Sequence, residues 1–133
     1  PHILSLAPLE GALHIINETG INAIREKSLR LTDYMMFLID RELVPYGFEI
    51  ATPREPERRG GHVALKHANA VQINKALKAK GIVSDFRLPD IIRLAPVALY
   101  NTFSEVRQVV QTLKTIMQTG EYRNYKSERG IVA

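Results

Sequence analysis

The spacing of apolar residues changes four times along this chain, and those changes restrict the fold more than any single residue does. Leu6, Leu9, Leu13 and Ile16 recur every three or four positions, as one face of an α-helix does, and Gly20 supplies a stop. A second, longer helix is predicted from Ile21. Its stripe is Ile21, Ile24, Ser28, Leu31, Met35 and Leu38, with Arg25, Glu26, Arg30 and Asp40 around it, and it ends near Pro45 and Gly47. The period then shortens. Residues 48–51 and 61–67 read as short strands separated by a charged, proline-containing loop over 52–60. A helix follows over about 69–80, with Val71, Ala76 and Leu77 as a modest apolar side, lysines 75, 78 and 80 toward its C-terminal end, and Gly81 as its cap. Residues 82–87 form a strand with Ile82, Ser84 and Phe86 on one face and Val83, Asp85 and Arg87 on the other. Leu88, Pro89 and Asp90 make a tight turn, and Ile91 to Leu94 returns as the second arm of a hairpin. Helical spacing resumes after Pro96. Thr102 with Glu105 matches a capping box, and Phe103, Val106, Val110, Leu113 and Met117 form the buried stripe beyond it.

This order predicts an α+β fold, a small, mainly antiparallel sheet covered by helices on one side. One domain is expected over 1–120, with a loosely held polar tail over 121–133, where no periodicity remains. Hydrophobic residues at 45% and charged residues at 24% are ordinary for a folded globular chain. The lack of cysteine excludes disulfides and Cys-based metal sites and is compatible with a reducing compartment. No apolar run approaches the roughly 20 residues that span a bilayer. The start, PHILSL, lacks the basic stretch and cleavage site of a signal peptide and has no initiator methionine, so a piece of a longer protein or a processed chain is expected. A net charge of +4 permits an acidic partner without demanding one.

Most candidate chemistry has a plain structural use. His2, His14, His62 and His67 lack paired metal-ligand spacing, and the last two face opposite sides of one strand, so no metal is expected. Gly60-Gly61 is a turn or bulge signal rather than a phosphate loop, and no serine sits in a nucleophile elbow. Of the lysines only Lys66 has a strand context, and a Schiff-base lysine needs a desolvated pocket. Arg54, Arg58 and Arg59 share one loop, but Glu55 and Glu57 interleave with them and no aromatic platform accompanies them. Arg93, in IIRLAP, stands apart. A guanidinium among apolar residues stays charged and needs an anion, and its planar fork fits a carboxylate through two hydrogen bonds. The partner is either an internal acid or a bound ligand.

Around Arg93 the segment DFRLPDIIRLAPVALYNTFSEV contains Asp85, Phe86, Arg87, Pro89, Ile92, Pro96, Leu99, Tyr100, Asn101, Phe103 and Val106 in a pattern that resembles the C-terminal segment of the kynureninase family. IREKSLRLTDYMMFLI is similar to the long helix of that family's small domain, RGGHVAL (Arg59 to Leu65) to its next strand, and PHILSLAPLEGAL to the stretch that leads in from the large domain. The likeness runs to about Gln118. It implies the C-terminal small domain of a type I aminotransferase-like enzyme that uses pyridoxal 5'-phosphate to hydrolyse L-kynurenine, or 3-hydroxykynurenine, to an anthranilate and L-alanine in tryptophan catabolism.

The resemblance assigns Arg93 to the substrate α-carboxylate; Arg87, in the same hairpin, is expected to be a structural or supporting partner, with Asp85 paired to it. It also implies that the cofactor lysine and phosphate-binding groups belong to the large domain. No catalytic or cofactor-binding residue is then expected in this stretch, and the 133 residues alone are expected to be inactive. A cytoplasmic homodimer without nucleic-acid or membrane partners is the implied parent. A cysteine desulfurase domain of the same fold is the nearest relative reading, and LYNTF argues against it. A reading of another class is a free-standing α+β binding module whose arginines 54 to 59 hold RNA or an acidic partner; affinity falling steeply with salt is its signature.

Overall fold

The four residues of IIRL form a strand with two unlike faces, and the domain is organised around that strand. The computed structural model describes residues 3–128. Its helices are α1 (Ile3–Thr19), α2 (Ile21–Glu42), α3 (Ala70–Ala79) and α4 (Phe103–Thr119), and its strands are β1 (Glu49–Ile50), β2 (Val63–Lys66), β3 (Asp85–Arg87) and β4 (Ile91–Leu94). The sheet order is β1-β2-β4-β3, antiparallel throughout. Strands β2 and β3 therefore run parallel with β4 inserted between them, and α3 connects the two, a split β-α-β unit.

One face of the sheet is core. Val63, Leu65, Ile92 and Leu94 are buried there with Leu31, Met35 and Ile39 of α2, Ile73 and Leu77 of α3, and Val110, Leu113 and Ile116 of α4. Each such side chain contributes on the order of 1.5–3 kcal/mol by leaving water. The other face is open: Lys66, Asp85 and Arg87 are exposed, and Ala64, Ile91 and Arg93 are half-buried. The expected α+β arrangement, with helices on one side of a mainly antiparallel sheet, is the observed one.

Local signals explain the boundaries. Gly20, at φ 82°, turns the chain between α1 and α2. The Thr102–Glu105 capping box is complete: the Glu105 amide donates to Thr102 Oγ1 at 3.2 Å, and the Thr102 amide donates to Glu105 Oε2 at 2.7 Å. The Thr102 amide foremost, and then the Thr102 hydroxyl, hold the Glu105 carboxyl below its ordinary range.

Three expectations need correction. The strand expected over 82–87 pairs only from Asp85, because the Ile82 amide bonds to the Leu77 carbonyl and Ser84 Oγ donates to Asn74 Oδ1, tying that stretch to α3. The stripe of α4 passes through Ile116, while Phe103 is exposed and Met117 only partly buried. The tail is not loose where it is described. A 3-10 turn over Glu121–Asn124 buries Tyr122, Gln72 Nε2 donates to the Tyr125 carbonyl at 3.0 Å, and Lys75 Nζ donates to the carbonyls of Lys126 and Glu128. Residues 129–133 of the expected tail lie outside the described part. By contrast the apolar residues of α1 find no core: Leu6, Leu9, Leu13 and Ile15 are all exposed.

Candidate functional site

Arg93 occupies the middle of the open face, with Ala64 of β2 across from it on one side and Asp85 of β3 on the other. Alternation sends its sequence neighbours Ile92 and Leu94 to the core, so they do not surround the guanidinium. Its side chain is 36% exposed, and the apolar setting expected from the sequence is corrected accordingly. What stands beside it is a carboxylate. Arg93 Nε donates to Asp85 Oδ2 at 2.9 Å and Arg93 Nη2 donates to the same oxygen. Arg87 Nε reaches that oxygen as well, at 2.9 Å.

Two guanidinium groups thus share one carboxylate, and the cluster keeps a net positive charge. The Asp85 carboxyl lies below the usual aspartate range, through the Arg93 hydrogen bond foremost, against an opposing effect of burial, and then through Arg87. The Asp85–Arg87 pairing expected from the sequence is present, and Arg93 joins it. The hairpin register already contained that contact: a turn at 88–90 sets Arg87 opposite Ile91, and hence Asp85 opposite Arg93.

The loop arginines are engaged within the domain. Arg54 makes a two-pronged pair with Asp40, at 2.7 and 2.8 Å, which depresses the Asp40 carboxyl. Arg59 is buried; its Nη2 donates to Asp33 and its Nη1 to the Arg54 carbonyl. Arg58 lies 3.9 Å from Glu55, and Arg25 reaches the Pro56 carbonyl from α2. Asp33 and Asp40 lie two turns apart on α2, a spacing that marks them in the sequence as one acidic face. Arg54 and Arg59 thus clamp this loop to α2.

His67 is also used internally. Its Nδ1 accepts from the Asn69 amide at 2.9 Å and its Nε2 lies 3.1 Å from the Tyr46 carbonyl. His14 stands on α1, 4.0 Å from Glu18, and His62 is half-buried, while His2 lies outside the described residues. Among the described residues no group of three acids or histidines converges as metal ligands do.

The lysines do not suit a pyridoxal-type cofactor. Lys66 is half exposed and 3.9 Å from Asp90, Lys80 pairs with Glu121, Lys114 with Glu42, and Lys75 is spent on two carbonyls. No lysine among the described residues is buried, Lys27, Lys78 and Lys126 included, whereas a Schiff-base amine needs a desolvated pocket. A groove of about 520 Å³, lined by Met35, Ile82, Val83, Leu94, Tyr100 and Val109 among others, lies on the helix side of the sheet and does not include Arg93. Beside it the Val97 amide donates to Asn101 Oδ1 at 2.8 Å, so Asn101 shapes the turn that leads into α4. No helix among the described residues is long and apolar enough to cross a membrane.

Comparisons with known proteins fit this arrangement. The fold is shared with a NifS-like protein at a TM-score of 0.66 and 19% identity, over 81% of this chain and 32% of that one. In sequence the chain is 53% identical to a kynureninase of Geobacillus thermodenitrificans and 56% identical to one of Bacillus thuringiensis subsp. konkukian, each over all 133 residues. It spans 31% of the length of those relatives. The family described as the kynureninase C-terminal domain matches residues 24–113. That match takes in most of α2, the sheet and most of α4, including the Asp85–Arg93 hairpin, and the chain belongs to the family of kynureninase C-terminal domains.

Proposed function

We propose that this chain is the C-terminal part of a kynureninase and that Arg93 grips the α-carboxylate of L-kynurenine, or of its 3-hydroxy derivative. The observation that carries the reading is the place of Arg93. It lies inside the family match, at the centre of the only open sheet face among the described residues, with Nη1 free of any protein partner there. A guanidinium fixed on a strand can hold a carboxylate in one orientation, and so set the Cα–H bond of the amino acid at the reacting centre. Arg87 and Asp85 support it from β3.

The described lysines do not fit pyridoxal phosphate, so the cofactor and its lysine belong to the remainder of the enzyme, the large domain. The open face is then one wall of an active site that the large domain completes. The parent works as a cytoplasmic homodimer in tryptophan catabolism. A module for RNA or an acidic partner is not favoured, because Arg54 and Arg59 are bound to Asp40 and Asp33.

The test uses the kynureninase-length polypeptide that carries these residues. Arg93→Lys is expected to lower kcat/KM for kynurenine by about 100-fold, since an ammonium cannot reproduce the two-pronged grip, and to leave the absorbance of the bound cofactor unchanged. The 133 residues alone should release no anthranilate and give no cofactor absorbance near the visible edge. An unaltered kcat/KM in the lysine variant removes Arg93 from the site.

A further inference from the structure

A guanidinium presents two usable hydrogen-bonding borders, the side edge formed by Nε and one terminal nitrogen, and the end formed by both terminal nitrogens. In this structure the side edge of Arg93 is taken, with Nε and Nη2 both on Asp85 Oδ2. Arg93 Nη1 has no partner among the described residues. Across from Asp85, the residue flanking Arg93 is Ala64, whose methyl group leaves space above β2. Asp85 is itself held: Arg87 Nε binds the same oxygen, so the carboxylate stays charge-compensated when Arg93 engages a second anion.

We propose that Asp85 is a positioning residue, which fixes the side edge of Arg93 so that a substrate carboxylate meets the guanidinium end-on, through Nη1 and Nη2. The inference rests on the reading of Arg93 as the carboxylate anchor. Arg87 serves as the counter-ion that keeps Asp85 in place. An ion pair on an open sheet face that merely decorates the surface contributes little and does not distinguish one ligand from another. A positioning role does distinguish them, because it acts only on ligands that carry a carboxylate.

The measurement is a double-mutant cycle in the kynureninase-length polypeptide, comparing kynurenine with the same molecule bearing an amide in place of the carboxylate. The quantity read is the ratio of the two binding constants, with melting temperature and cofactor absorbance as controls for folding. Asp85→Ala is expected to lower that preference about tenfold. Asp85→Asn, which keeps the shape and one acceptor, should lower it about threefold and covers the case in which the alanine variant folds poorly. In an Arg93→Ala background neither change at Asp85 should have any further effect.

Equal weakening of both ligands by Asp85→Ala, or a loss that adds to that of Arg93→Ala, overturns the positioning role while leaving Arg93 as the anchor. A preference untouched by Arg93→Ala overturns the anchor itself, and the inference falls with it.

Discussion

The two faces of β4 differ by one residue in sequence and by almost everything in environment. Ile92 is fully buried between the sheet and its helices, whereas Arg93 is about a third exposed and paired with one exposed acid. The buried face is redundant, since many side chains share the work of excluding water. The open face has few members, and at its centre two guanidinium groups share one carboxylate, which leaves a positive excess. The core and the proposed carboxylate anchor are thus separated by a single step along the strand. The sharpest way to break this comparison is to truncate both residues. Ile92→Ala should cost about 2–5 kcal/mol, as large-to-small changes in packed cores do. Arg93→Ala should cost less than about 1 kcal/mol, because Asp85 keeps Arg87 as a partner and both are hydrated. Urea unfolding of the 133-residue chain reads both values, and equal losses would make the open face part of the scaffold.

Much of this separation can be read without coordinates. Alternation in residues 82–87 and in IIRL assigns each side chain its face, and the 88–90 turn sets the register that brings Asp85 to Arg93. Helix α4 announces itself through Thr102 and Glu105. What the sequence hides is contact between distant segments. Apolar neighbours of Arg93 in the chain suggest desolvation, but in a strand they belong to the opposite face. Tyr122 and Lys75 give no local sign that the region after Glu121 docks on α3, since that packing joins residues about fifty positions apart. The loop arginines look free until Asp33 and Asp40 are seen as one face of α2. The apolar helix α1 teaches the converse: a periodic stripe predicts the helix correctly and does not say what covers it.

A second arginine–aspartate pair, Arg59 with Asp33, sharpens the contrast between buried and open charge. Arg59 has a side chain only 1% exposed, while its partner Asp33 is 60% exposed. Removing the acid leaves a buried cation with one carbonyl for company, and Arg59 Nε has no partner to begin with. Asp33→Ala is therefore expected to destabilise the chain by about 3 kcal/mol. Arg59→Met removes the charge and keeps much of the volume, leaving a carboxylate that water can solvate, so its cost should be about 1 kcal/mol. The order of the two urea midpoints is the test. A reversal would mean that the loop depends on the bulk of Arg59 rather than on its compensated charge.

The smallest effect separates the faces by pH. The Asp85 carboxyl is depressed in the folded chain, chiefly by Arg93 and then by Arg87 once the opposing effect of burial is set against them. A depressed acid contributes stability that is fully present above its unfolded value, about 3.9, and is lost as pH falls through the folded value. The loss should therefore appear below about pH 4. Because Asp85 is nearly half exposed, its share is within the range of about 0–1 kcal/mol that surface pairs contribute. Asp85→Asn should lie slightly below the parent at pH 7 and converge with it in acid, as the folded-state carboxylate takes up its proton. Ile92→Ala should show the same deficit at both pH values, because water exclusion does not titrate. If the Asp85→Asn deficit persists undiminished in acid, the carboxylate is acting as a packing group, and the open face holds Arg93 by shape rather than by charge.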